Sequence, residues 1–227
     1  MLVADYSVSK FNDVPDYWDV KEQAQIVEEL APQLGNIICR HGLQDVFGVT
    51  ILHNHFKMGD SEKLVRRFAS ETCCLAIAEK NSADSTIPYI WKFDSSNRGM
   101  IPLEFCVLRY RDLDVYNAHA SHMNRKQLFF NEFRERLQDL DAINLVGLFG
   151  LFANEPFSLN NNQTLMEDTF ERDRYTKTTV REKFTRENYP SDVIKTLWTF
   201  HITEDEVMDA QCASHCYAHP ISESHRG

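Results

Sequence analysis

The sequence predicts an α+β fold, mainly an antiparallel sheet or open roll with an N-terminal and a central helix packed on it. Three observations carry this expectation. Two stretches repeat apolar residues at three- and four-residue steps; most other structured stretches are β-branched, aromatic or alternating; and the strands do not alternate regularly with helices, as a doubly wound parallel sheet requires. The expected unit is one domain over residues 1–227, ending in a flexible tail from about residue 210.

The first helix is expected from Asp16 to Arg40, where Val27, Leu30, Leu34, Ile37 and Ile38 form a stripe that stops before Gly42. Pro32 lies inside it and should kink or divide it, because proline removes a backbone donor and clashes with the preceding turn. From Asp45 to Met58 the pattern turns to strand, with Phe47, Val49, Ile51, His53 and His55 assigned to one face and Gly59-Asp60-Ser61 as the stop. Further strands are expected at Glu71–Glu79, Thr86–Phe93 and Met100–Leu108, the last two joined by a turn-rich loop from Asp94 to Gly99. Together they read as an antiparallel meander.

Ser121 to Leu140 reads as the central helix, with Phe129, Phe133, Leu137 and Leu140 as its apolar stripe. His119 and His122, near its start, read as capping or surface residues. Ile143–Phe152 is expected as a buried strand whose Gly147 and Gly150 mark a bulge or a close backbone approach. Strands then follow at Leu165–Arg172, Thr176–Phe184 and Val193–Thr203, where Trp198, Phe200 and Ile202 share a face.

Composition narrows the function. With 43% hydrophobic and 11% aromatic residues the chain can build a sizeable core. The 34 acidic against 24 basic residues give a charge of −10, a field that repels phosphate backbones and anionic membranes, so neither nucleic acid nor membrane is expected as a partner. No segment approaches the roughly 20 apolar residues of a membrane span, and no basic stretch precedes an apolar leader, which points to the cytoplasm. The six cysteines lie mostly in apolar segments and read as free thiols. The oligomeric state is not specified by these features.

The richest segment is Phe47-Gly-Val-Thr-Ile-Leu-His-Asn-His-Phe56. Residues two apart on a strand point the same way, so His53 and His55 should present adjacent imidazoles beyond an apolar wall. Three uses follow. The pair can bind a divalent transition metal, since neutral imidazoles suit zinc, iron or copper. The pair can act as general acid, base or hydrogen-bond donor without a cofactor, with Glu104, an acid inside an apolar strand, as partner. Or it can form a hydrogen-bonded polar rim with no chemistry.

Bulky groups that could line a substrate site are Val49, Ile51, Tyr89, Trp91, Phe93, Trp198 and Phe200, which favour a small but largely apolar molecule, although core packing is the usual use of such faces. Near the C-terminus, Cys212, His215, Cys216 and His219 have a spacing that a helix would align on one face, a weak zinc signal needing ligands from elsewhere, conceivably His53 and His55. Phosphate-cradling glycine loops, the Gly-x-Ser-x-Gly elbow and His-Glu-x-x-His are absent, so neither a nucleotide cofactor nor the common hydrolase classes are expected.

The His-x-His core resembles a cupin metal motif, but Glu62 follows His55 by seven residues, farther than that pattern allows. More broadly, the Phe47–Phe56 run, the stretches Trp91–Phe93 and Pro102–Phe105, and Thr196-Leu-Trp-Thr-Phe200 with the Cys/His-rich end resemble a family of small uncharacterised fungal proteins. That resemblance implies a setting in specialised metabolism, where cofactor-free cyclases and pericyclic catalysts occur, and it transfers no activity or site residue. The leading expectation is a cofactor-independent biosynthetic enzyme of cyclase, isomerase or lyase type, acting on a small, largely apolar metabolite through His53, His55 and Glu104. The alternatives are a metal-dependent enzyme using His53 and His55 and a non-catalytic ligand-binding or assembly protein.

Overall fold

The computed structural model describes residues 4–80, 86–95, 99–107, 126–154, 156–157, 159–185, 187–205 and 207–219. The strands are β1 Phe47–Ile51, β2 Glu62–Ser70, β3 Cys73–Lys80, β4 Thr86–Phe93, β5 Met100–Val107, β6 Val146–Gly150, β7 Gln163–Phe170, β8 Tyr175–Glu182, β9 Ile194–Ile202 and β10 Met208–Ala218. They close into a barrel in the order β1-β6-β4-β5-β2-β3-β8-β7-β10-β9, and β9 returns to β1 through Val49↔Trp198 and Thr50↔Leu197. This overturns the expected open sheet or roll. It also overturns the pure meander, because β2 pairs with β5 and β7 with β10 in parallel. Closure satisfies the edge-strand hydrogen bonds that an open sheet would leave exposed.

The helices are α1 Val8–Asn12, α2 Tyr17–Lys21, α3 Ala24–Arg40 and α4 Gln127–Asp139. The expected first helix does divide, but at Glu22–Gln23, while α3 runs on through Pro32. Asp16 caps α2 by accepting from the Asp19 amide at 2.9 Å. The stretch from about residue 210, expected as a tail, is part of β10 as far as Ala218, held between β7 and β9; of that stretch, residues 220–227 lie outside the described residues. A strand keeps this segment because its alternate residues, Cys216 and Ala218, are buried inside the fold.

The barrel is apolar on the wall that the helices cover and polar in much of its lumen. On the covered wall Phe47 stacks on Phe129 of α4 at 5.8 Å, and Phe93 stacks on Phe133 at 5.6 Å. Phe200 fills the space over Gly35 of α3, where an added Cβ would stand 2.3 Å from its ring. Gly147 marks the predicted close approach, since a Cβ there would meet the Trp91 carbonyl and the Leu52 side chain at 2.5 Å. Thr50 of β1, with Arg66, Glu104, Glu167 and Thr178 from β2, β5, β7 and β8, faces the lumen, all buried. None of the six cysteines is disulfide-bonded. No helix among the described residues is long and apolar enough to cross a membrane.

Candidate metal centre in the barrel lumen

The two histidines reach the lumen because the first strand stops early. Strand β1 ends at Ile51, and the next residues are pinned by neighbours: the Leu52 amide donates to the Leu145 carbonyl at 2.8 Å and the Asn54 amide to the Pro15 carbonyl at 2.8 Å. The Asn54 side chain also donates to the Val14 carbonyl. This clamp breaks the alternation. Phe47 and Val49 stay in the helix-covered core and Ile51 lies between that core and the cavity, whereas His53 and His55 turn into the lumen with ring centres 4.7 Å apart.

There they meet a cluster built from six other strands, β2, β4, β5, β7, β8 and β10. Glu167 of β7 places Oε1 3.0 Å from His55 Nε2, and Glu104 of β5 places Oε1 3.9 Å from the same nitrogen. The other oxygen of Glu167 is held by the Thr178 hydroxyl at 3.2 Å and by Arg66 Nη2 at 3.5 Å. Tyr89 donates its hydroxyl to Glu104, and the Arg66 guanidinium lies over the Tyr89 ring at 4.5 Å. Cys216 of β10 approaches the Thr169 hydroxyl at 3.9 Å, which in turn bonds His55 Nδ1 at 2.8 Å. Each of these groups has lost water and must be paired within the protein.

One atom is not. His53 Nδ1 lies 3.2 Å from the Ile51 carbonyl, which only accepts, so Nδ1 carries the proton and Nε2 presents a lone pair. That Nε2 is buried with no hydrogen-bond partner.

The electrostatics are those of a compact, mutually compensating cluster. Burial pulls the His55 pKa down, but the facing Glu167 carboxylate lifts it well above the usual imidazole range. Burial pushes Glu167 up, and the charge and hydrogen bond of His55, with Arg66, hold it far below the usual carboxylate range. Desolvation, with repulsion from His55, lowers His53 to about 4, so it stands neutral. Burial raises Glu104 and the Cys216 thiol.

His53, His55, Glu167 and Cys216 each offer one ligand atom, and these atoms all lie within 4.8 Å of one another. Ligands bound at about 2.0–2.3 Å stand on the order of 3–3.7 Å apart, so the cluster needs a modest contraction and the 3.0 Å His55–Glu167 edge none. The outer contacts suit ligation as well. His53 and His55 are each held through Nδ1, and Glu167 through the oxygen that does not face His55.

Of the catalytic residues expected from sequence, His53, His55 and Glu104 converge on one site. Of the expected substrate-lining residues, Tyr89 enters the lumen through its bond to Glu104 and Ile51 borders the cavity; Val49, Trp91, Phe93, Trp198 and Phe200 belong to the core beneath the helices. The C-terminal cluster is strand rather than helix, so its four residues do not share one face, although Cys212 Sγ and His215 Nε2 stay 3.6 Å apart. Cys216 enters the lumen, His215 packs against Phe184 and Tyr189 outside it, and His219 is exposed near Asp168. His119 and His122 lie outside the described residues. Arg66 and Glu167 were not singled out by sequence. The alternation Leu165, Glu167, Thr169 does carry the signal of an acid on an otherwise inward face.

No known family, curated protein or solved structure matches this chain.

Proposed function

We propose that the protein is a metal-binding barrel that holds a divalent transition metal in its lumen on His53, His55, Glu167 and Cys216. The observation that carries this reading is the buried, unpartnered Nε2 of His53, beside two donors already 3.0 Å apart. A set of two imidazoles, a carboxylate and a thiolate suits zinc, cobalt or iron better than magnesium or calcium, which favour oxygen ligands. A bound ion would replace the proton between His55 and Glu167 and give His53 its missing partner. When bound, such an ion supplies Lewis acidity in a site shielded from bulk water. Arg66 and Thr178 orient Glu167, and Thr169 orients His55.

The test is metal content after purification without an affinity tag, followed by titration of the metal-stripped chain with cobalt. A stoichiometric visible spectrum with a thiolate-to-metal band, lost in Cys216→Ser and weakened in His53→Ala, is the expected result. Absence of any cobalt spectrum, together with an unchanged melting temperature on adding zinc, would sink the reading.

A second reading rests on the His55–Glu167 ion pair, with Glu104 and Tyr89 beside it. Without a metal these groups form an acid–base relay for the cofactor-free chemistry raised by the sequence, and the fungal resemblance supplies specialised metabolism as its setting. Its substrate would have to be small, because the lumenal cavity measures about 30 Å³. Turnover that survives chelation and is lost in His55→Ala favours this reading; turnover restored by added metal favours the first.

A further inference from the structure

The lumenal cavity is lined by His53, His55 and Glu167 and also by Arg66, Glu104 and Asn154. At about 30 Å³ it has room for roughly two waters, or for a ligand of two or three heavy atoms. Two orphaned polar atoms belong to its lining residues. One is His53 Nε2, already assigned to the metal. The other is Arg66 Nε, buried and unpartnered although the terminal nitrogens of the same guanidinium reach Asn154 Oδ1 at 3.1 Å and Glu167 Oε2 at 3.5 Å.

Arg66 is 4% exposed and donates only, so the partner that its Nε lacks is an acceptor. The carboxylates nearby are already engaged, Glu167 by His55, Thr178 and Arg66, and Glu104 by Tyr89. A cavity between a cation that lacks an acceptor and a bound metal favours negative charge. We propose that the four-ligand metal centre expands to a fifth position facing this cavity and binds there a compact monoanion of two or three heavy atoms, held between the metal and Arg66 Nε. Formate and azide belong to this class. The proposal rests on the metal reading above and adds an exogenous ligand and its size and charge limits.

The experiment uses the full chain loaded with cobalt. Sodium azide should shift the visible cobalt spectrum in a saturable way, formate should compete with it, and benzoate, too large for the cavity, should do neither. Arg66→Lys keeps the charge but removes Nε, and in the fraction of that variant that takes up cobalt, azide affinity should fall at least about tenfold. If cobalt gives no spectrum, the metal reading fails and this inference with it. If cobalt binds and azide leaves the spectrum unchanged, or benzoate perturbs it as azide does, the metal reading stands and this inference is overturned. The azide and benzoate arms need only the unaltered chain, so they decide the matter even if Arg66→Lys does not fold.

Discussion

Replacing Glu167 by Gln tests the lumenal cluster as a unit. The change is nearly isosteric, but it removes the charge that faces His55 at 3.0 Å and Arg66 at 3.5 Å, both buried. Removing one partner of a buried ion pair leaves the other uncompensated and costs about 3–5 kcal/mol. For a chain of 227 residues, 1 kcal/mol moves the melting temperature by roughly 2–4 °C, so the metal-free variant should melt roughly 6–20 °C below the parent. Asp192→Asn is the comparison, because it removes an exposed salt bridge to Lys21, worth at most about 1 kcal/mol. The assay is thermal unfolding by circular dichroism at neutral pH and moderate salt. If Glu167→Gln melts no lower than Asp192→Asn, the lumenal ion pair is not the buried, mutually dependent unit inferred from its distances.

Three further outcomes follow from other parts of the molecule. Gly147→Ala would force a Cβ to 2.5 Å from the Trp91 carbonyl, and an overpacking loss of about 1–3 kcal/mol should appear in denaturant unfolding. Phe200→Ala should cost about 3–5 kcal/mol by emptying the space above Gly35, yet leave cobalt binding intact, because Phe200 belongs to the helix-covered wall; loss of the cobalt spectrum from a folded variant would contradict that separation. Burial, reinforced by Lys195, depresses His215 to about 4, so the unfolded chain binds the extra proton and stability should fall as pH drops from about 6.5 to 4, by at most about 3 kcal/mol. His215→Gln should flatten that limb of the pH–stability curve, and an unchanged slope would refute the assignment.

Local features were legible where one face of an element is apolar and the other wet. Strand β4 begins and ends where its pattern says, and α4 buries Phe129, Phe133 and Leu137 as its stripe requires. Barrel closure was not legible, because it depends on pairings such as β1 with β9 and β7 with β10 between strands whose own patterns do not encode their neighbours. Strand β2 escaped notice because Leu64-Val-Arg-Arg67 places charge on both faces, one arginine inside and one paired with Glu79. The lumen inverts the usual rule. Glu167, Thr169, Thr176 and Thr178 point inward, so a search for apolar inward faces passes over the residues that complete the site. His53 and His55 were singled out, but Phe47, Val49 and Ile51 were assigned to their face, and beyond the Asn54 clamp the histidines part from Phe47 and Val49, while Ile51 alone of the three borders their cavity.

The parallel seam between β7 and β10 also constrains the order in which the molecule can assemble. The proposed metal ligands come from the end of β1, from β7 and from β10, so they are brought together by contacts between residues more than a hundred positions apart as well as by nearer ones. Long-range pairings of this kind form late and slowly, because the entropy of closing the intervening chain is lost before they return any stability. Strand β10 is the last of the ten in chain order, and until it docks Cys216 is missing and the β7 and β9 edges stay open. Capture of cobalt during refolding would therefore time the final closure of the barrel, lagging the far-ultraviolet signal that reports the earlier strands and helices.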